Sequence, residues 1–281
     1  MYLYKSLFLI CFIALSTFVK GQDNGLEVLE KESVKDQHEF YFYWGYNRSA
    51  YLTSDIRMVG NGYDFTMHDV VAKDKPYPFD AKVYFNPVLF SIPQFNIRAG
   101  YKLNDRIWLS AGYDHMKYVL QNGMSTTISG TITKDASSKY AGTYDHDSIV
   151  LATDFVQYEH TDGLNFGTFD LEYITPIWES KNHNFKLNNL SGGSLGILVP
   201  RTDVTIFNYD GPNIFNLAGG GLAIKTQMKF LMWNHLFIQG SGKAGWLWMP
   251  KIQTTKLPGE WSRQNISFIE AFWAVGYQWK L

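Results

Sequence analysis

The chain has 281 residues, of which 17% are aromatic and 18% charged, and its formal net charge is −1. A typical globular domain carries about 25% charged residues, so this chain is charge-poor, and its near-neutral balance excludes the basic surface that nucleic-acid binding requires. Its single cysteine, Cys11, excludes a disulfide within the chain.

The first residues read as an export signal spanning residues 1–21. Lys5 is the only early cation before an apolar run from Leu7 to Val19, broken by Ser16 and Thr17. Val19 and Gly21 are small residues at the usual cleavage offsets, and Gln22 becomes the mature start. The run is shorter than the roughly 20 residues of a membrane-spanning helix. Ile10 before Cys11 does not suit lipid attachment. Residues 22–38 are polar and acidic and read as a periplasmic N-terminal segment. The remainder, 39–281, carries dispersed hydrophobic residues with a period of two.

The first strand begins at Glu39. Phe40, Phe42, Trp44 and Tyr46 share one face, and Tyr41, Tyr43, Gly45 and Asn47 the other. Runs at 55–59 and 63–72 flank the turn signal Gly60-Asn61-Gly62 and predict a hairpin projecting above a membrane. Residues 73–93 carry Pro76, Pro78, Pro87 and Pro93. Proline removes a ladder donor, so this stretch is expected as an extracellular lid or plug. Phe95, Ile97, Ala99 and Tyr101 then alternate with Asn96, Arg98, Gly100 and Lys102. Asn104-Asp105 turns the chain into a returning strand, where Ile107, Leu109, Ala111 and Tyr113 oppose Trp108, Ser110, Gly112 and Asp114.

A Ser/Thr-rich strand follows at 124–133, then strands at 148–160 and 165–177 separated by an expected turn at Asp162-Gly163. Strands at 185–199, 214–230 and 236–248 complete the series, with a longer loop at 200–213. The last strand, Ser267–Leu281, alternates to the carboxyl end. Ile269, Ala271, Trp273, Val275, Tyr277 and Trp279 oppose Phe268, Glu270, Phe272, Ala274 and Gln278. Lipid on one side and a polar lumen on the other impose this alternation. The expectation is an all-β, transmembrane, antiparallel up-and-down β-barrel of about 10–12 strands. Trp44, Tyr46, Tyr101, Trp108, Trp178, Trp246, Trp248 and Trp279 would form its interfacial girdles.

The signal, the glycine-rich alternating strands and the terminal Trp273, Tyr277 and Trp279 resemble outer-membrane β-barrel proteins of Gram-negative bacteria. Residues 63–66, 114–118 and 159–165 are similar to segments of an uncharacterised Bacteroidota-type family. The resemblance implies a location in the bacterial outer membrane. Its implied partners are outer-membrane lipid and lipopolysaccharide, with barrel-assembly machinery engaging the C-terminal strand Ser267–Leu281. It implies no cofactor and supplies no catalytic residues.

Arg98, Lys102, Asp170, Glu172, Lys225, Lys229, Lys243 and Glu270 share the lumen parity, as does Lys280. Mixed charges in a narrow barrel pair, because an unpaired charge in a dry interior is costly, so a plugged interior is expected over a lysine-lined solute path. His68, His115 and His160 sit near outer strand ends with acids beside them, among them Asp162. They are candidates for a metal site, or His115, His160 and Asp162 for a catalytic one. Ser125, Ser129 or Ser148 would then supply a nucleophile. The function expected is an outer-membrane barrel with a structural, surface-binding or narrow-transport role. The alternative is a membrane-embedded hydrolase of lipid A or phospholipid that uses a rim histidine.

Overall fold

The computed structural model describes residues 38–86, 88–89, 91–257 and 259–280. The export signal at 1–21, nearly all of the segment 22–38 and the terminal Leu281 lie outside the described residues. The elements in chain order are β1 (Glu39–Tyr51), β2 (Ser54–Gly60), β3 (Tyr63–Val70), β4 (Ala72–Lys73), α1 (Ala81–Tyr84), β5 (Phe95–Lys102) and β6 (Ile107–Leu120). Next come β7 (Ser125–Ile132), β8 (Gly142–Val150), β9 (Val156–Glu179), β10 (Phe185–Leu198) and β11 (Arg201–Ile206). The series ends with β12 (Tyr209–Asp210), β13 (Ile214–Phe215), β14 (Gly219–Met232), β15 (Leu236–Gln253) and β16 (Trp261–Lys280).

Strands β1, β5, β6, β9, β10, β14, β15 and β16 pair antiparallel in that order, and β1 closes on β16 from Glu39↔Lys280 to Tyr51↔Phe268. Following the register once round the ring, Asn265 leads through Trp248, Gly220, Ile197, Gly167, Tyr113, Ile97 and Trp44 back to Val275. The return falls ten residues further along β16, which is the stagger that tilts the strands of a closed barrel. Residues 103–106, 180–184 and 233–235 form short turns at one end, the periplasmic end in barrels of this class.

Side chains on the ring alternate as the two environments demand. Phe169, Leu171, Leu195, Ile197, Leu222, Ile224, Ile238, Trp246, Trp273 and Val275 are exposed on the outside. Tyr43, Arg98, Asp170, Lys225 and Glu270 are buried on the inside. A broad exposed apolar belt around a closed antiparallel ring faces lipid. The chain is therefore a transmembrane β-barrel. Among the expected girdle residues, Trp108 is a correction. It is only 2% exposed and packs inside against Tyr41, their rings tilted by 46°, because its parity matches Ser110 and Asp114.

The ring has eight strands, not the ten to twelve expected. Strand β2 continues β1 upward and pairs with β16 only through Ile56–Val59. From there β3, β7 and β8 pair in succession beyond the ring. Their outward side chains include Asp55, Arg57, Asp64 and His68, which lipid would not accept, so these strands stand in water above the bilayer. Their inward Ile56, Met58, Phe65, Met67 and Ile128 join Met116, Tyr158, Phe166, Met249 and Phe268 in one large apolar core. The extension is thus a water-exposed cap whose core is shared with the upper parts of the ring strands.

Two further expectations change. The turn at Asp162-Gly163 is absorbed into β9, which runs 24 residues unbroken. Gly163 takes φ +128°, a conformation open to glycine but strained for other residues, beside a register shift against β6. The proline-bearing stretch does not close the lumen. Tyr77, Val83, Tyr84, Leu89 and Ile92 pack on Trp44, Tyr46, Phe95 and Ile97, which point outward from β1 and β5. The segment is a clasp on the outer wall, and the cap covers the lumen instead.

Candidate functional site

The interior is filled. Near the periplasmic end, Tyr41, Tyr43, Trp108, Leu231, Phe237 and Phe272 form an apolar layer. Above it lies a charged layer. Arg98 Nη1 meets Asp170 Oδ2 at 2.5 Å and its Nη2 lies 3.8 Å from Asp114 Oδ1. The guanidinium also donates to Tyr43, Ser110 and Thr168. Gly112 makes room for it, since a Cβ there would stand 2.5 Å from Arg98 Cζ. Lys225 bridges Asp170 and Glu172, the latter at 2.6 Å. Lys243 pairs with Asp114, and Asn96 donates to Glu270 at 2.6 Å.

Lys229 donates to Gln278 at 2.6 Å and sits 4.0 Å from the Phe237 ring centre, with Tyr41 and Trp108 also within cation–π reach. In formal charges, Arg98, Lys225, Lys229 and Lys243 balance Asp114, Asp170, Glu172 and Glu270, all of them buried. Buried charges persist only when compensated in this way. Lys229 lies below, among Tyr41, Trp108 and Phe237 of the apolar layer, and six of the eight residues named from sequence for the lumen gather in the charged layer. Lys102 does not, because it sits at the periplasmic rim with Glu39 at 3.1 Å and Asp105 at 3.6 Å. Asp114, the neighbour of His115 in the sequence, belongs to this layer as well. Its parity, shared with Ser110 and Gly112, is the signal that finds it.

The three histidines do not converge, which corrects the rim cluster expected. His160 is 0% exposed and points into the cap core, between Tyr118 and Tyr158, with Thr202 Oγ1 3.0 Å from its Nδ1. Burial pushes its pKa down to about 3. His115 points the opposite way, out of the wall. His68 lies on the water-facing side of the cap, 3.4 Å from Asp55 and 3.1 Å from Ser129 Oγ, and stacks on His146 at 4.9 Å. Asp162 bonds Arg201 at 3.2 Å. Among the described residues, no group of three or more His, Cys, Asp or Glu is placed to hold a metal. On the same water-facing sheet Arg57 grips Asp64 through two bonds of 2.8 and 2.7 Å, which hold that carboxyl below its ordinary range.

The outer wall carries a pocket of about 300 Å³ lined by Ser91, Phe95, Ile97, Tyr113, His115, Asp162, Asn165 and Phe215. His115 is 4% exposed and stacks on Phe95 at 5.1 Å. Asn165 donates through Nδ2 to the Val199 carbonyl at 3.0 Å, which turns its Oδ1 to His115 Nδ1 at 2.8 Å. A neutral His115 therefore carries its proton on Nδ1 and a bare lone pair on Nε2. No donor among the described residues reaches that Nε2. The Ser91 backbone lies beside the ring, but a carbonyl cannot satisfy a lone pair.

No family model and no curated protein matches the chain. Solved structures similar to it include Ail, the attachment invasion locus protein of Yersinia pestis, in complex with the heparin analogue sucrose octasulfate. That likeness has 12% identity and a TM-score of 0.32, over 86% of this chain and 99% of that one. The outer membrane protein OprG from Pseudomonas aeruginosa gives 10% identity and a TM-score of 0.38 over 87% and 97%. The outer membrane protease OmpT from Escherichia coli gives 9% and 0.26 over 90% and 99%. The fold and the membrane placement stand on the ring and its apolar belt alone.

Proposed function

We propose that this chain is a non-conducting outer-membrane barrel that holds a binding surface, the cap, above the cell envelope. The sealed interior carries the reading. Two apolar layers enclose a buried charged layer in which Arg98, Lys225 and Lys243 pair with Asp114, Asp170 and Glu172, and an aqueous pore needs a far wider ring of about 16 strands. The cap is seated on the ring strands through one apolar core and has an outward face of charged and polar side chains, Asp55, Arg57, Asp64, His68 and Asp145 among them. Such a face suits recognition of a polar partner at the cell surface. Membership of a Bacteroidota-type family, read from residues 63–66, 114–118 and 159–165, belongs to the same proposal, as does delivery by assembly machinery through the last strand.

Planar-bilayer recording of the purified chain tests the non-conducting part. The expected record is flat across the accessible voltage range. Reproducible unitary steps would overturn it.

A second reading, hydrolysis, keeps one observation. His68 stands between Asp55 and Ser129 Oγ in the order of contacts that activates a serine. Against it, Asp55 is 57% exposed, so water screens its charge, and the His146 backbone N–H already donates to Ser129 Oγ at 3.1 Å. A fluorophosphonate probe would label Ser129 in a working hydrolase; an unlabelled serine removes the reading.

A further inference from the structure

We propose that the pocket at His115 holds an outer-leaflet glycolipid, with a headgroup hydroxyl donating to His115 Nε2 and an acyl chain lying on Ile97 and Tyr113. Four observations meet there.

The first is position. Phe95, Ile97, Tyr113, His115 and Asn165 all point outward from β5, β6 and β9. His115 is one outward step above Tyr113, and Phe95 one above Ile97, so the pocket sits at the upper edge of the apolar belt. In a membrane-spanning barrel that is the headgroup level of the outer leaflet.

The second is the pair of segments that flank it. On one side the clasp exposes Phe79, Phe85 and Val88. On the other, residues 209–217 expose Tyr209, Phe215 and Leu217. Apolar side chains this exposed on both flanks mark a surface built for lipid rather than water.

The third is chemistry. Five of the eight lining residues are apolar or aromatic or stack as such, and one buried acceptor, His115 Nε2, has no donor. A buried acceptor left unmet is costly. A hydroxyl supplies the donor, whereas a choline headgroup has none to give.

The fourth is size and charge. A volume of about 300 Å³ lies at the lower end of small-ligand sites, enough for one sugar ring or the root of an acyl chain but not a whole lipid. Arg201, paired with Asp162, and Lys117, bonded to the Ile92 carbonyl at 2.8 Å, border the upper side. They favour a headgroup that carries negative charge beside its hydroxyls.

The proposal rests on the membrane placement and not on the absence of conductance, so a conducting barrel would leave it standing. The test incubates the purified chain in detergent with short-sugar lipopolysaccharide or with phosphatidylcholine and counts retained lipid by native mass spectrometry. The expected result is retention of the glycolipid over phosphatidylcholine. His115→Phe keeps the ring stack, loses the acceptor and lowers retention about tenfold. His115→Gln restores part of it. Phe215→Asp, at an exposed position on the pocket mouth, lowers retention without touching the wall and serves if His115→Phe does not fold. Equal retention of both lipids, or undiminished retention by either His115→Phe or Phe215→Asp, would overturn the proposal.

Discussion

Arg98 is the residue on which the interior depends most. Among the described residues it is the one cation placed against both Asp114 and Asp170, and its three further hydrogen bonds use up its fork. Replacing it by leucine leaves Asp114 and Asp170 with one cation each, Lys243 and Lys225, and the layer short of one positive charge; removal of one partner from a buried ion pair costs about 3–5 kcal/mol. Urea titration of the chain refolded into lipid vesicles should show that loss; an unshifted midpoint would mean the layer is wetter than its burial implies.

His160 makes a different prediction. Folding holds it near 3, against an ordinary value of 6.5. As pH falls, the unfolded chain takes up the proton first, so stability is whole above pH 6.5 and drains away below it. The slope is about 1.4 kcal/mol per pH unit. From pH 6.5 to 5 the parent should lose about 2 kcal/mol that His160→Phe keeps. Equal acid slopes in the two would show that His160 is hydrated.

The lumen charges were legible because parity alone selects them, and parity would have selected Asp114 as well. The same parity separates the histidines. His160 shares the inward parity of Asp170 and Glu172 in β9, and the register shift against β6 adds an even number of residues and leaves it inward, whereas His115 shares the outward parity of Tyr113 in β6.

At the scale of elements, period-two patterning located the ring strands, with β9 split in two at Asp162-Gly163, but could not separate ring from cap. A cap strand also has one face on an apolar core, so Ile56 and Met58 alternate as membrane residues do. The distinguishing mark is the other face. Charged Asp55, Arg57 and Asp64 rule out lipid for β2 and β3; the surplus over eight comes from counting 124–133 as a span and from splitting β9 at Asp162-Gly163.

The clasp was illegible for a related reason. Its prolines exclude it from the wall but do not say which side of the wall it lies on. Tyr84 holds it there, with its ring 4.7 Å from Tyr46 and its hydroxyl donating to the Tyr77 carbonyl at 2.8 Å. Tyr84→Ala should free the clasp while the ring stays closed. Protease cleavage between residues 77 and 89 would then rise at least about tenfold, since local opening needs only the loss of about 1.4 kcal/mol. The heat-modifiable mobility of the barrel in electrophoresis should not change. Loss of that mobility together with cleavage would show that the clasp is part of the ring's stability instead.

For the whole molecule, the central claim is a division by solvent along single strands. The same wall is bathed in lipid below and in water above, with a filled interior throughout. Strand β16 crosses the division. Trp273 and Val275 are exposed on its outer face in the belt, while Arg263 and Asn265, on the same face, are exposed beside the cap. Nitroxide labels on single-cysteine variants in bilayers measure this directly. Labels at Trp273→Cys and Val275→Cys should respond to oxygen dissolved in lipid, those at Arg263→Cys and Asn265→Cys to a water-soluble nickel chelate, and those at Phe272→Cys and Ala274→Cys to neither. Labels at residues 265 and 275 reporting the same medium, or an inward label open to the chelate, would contradict the account.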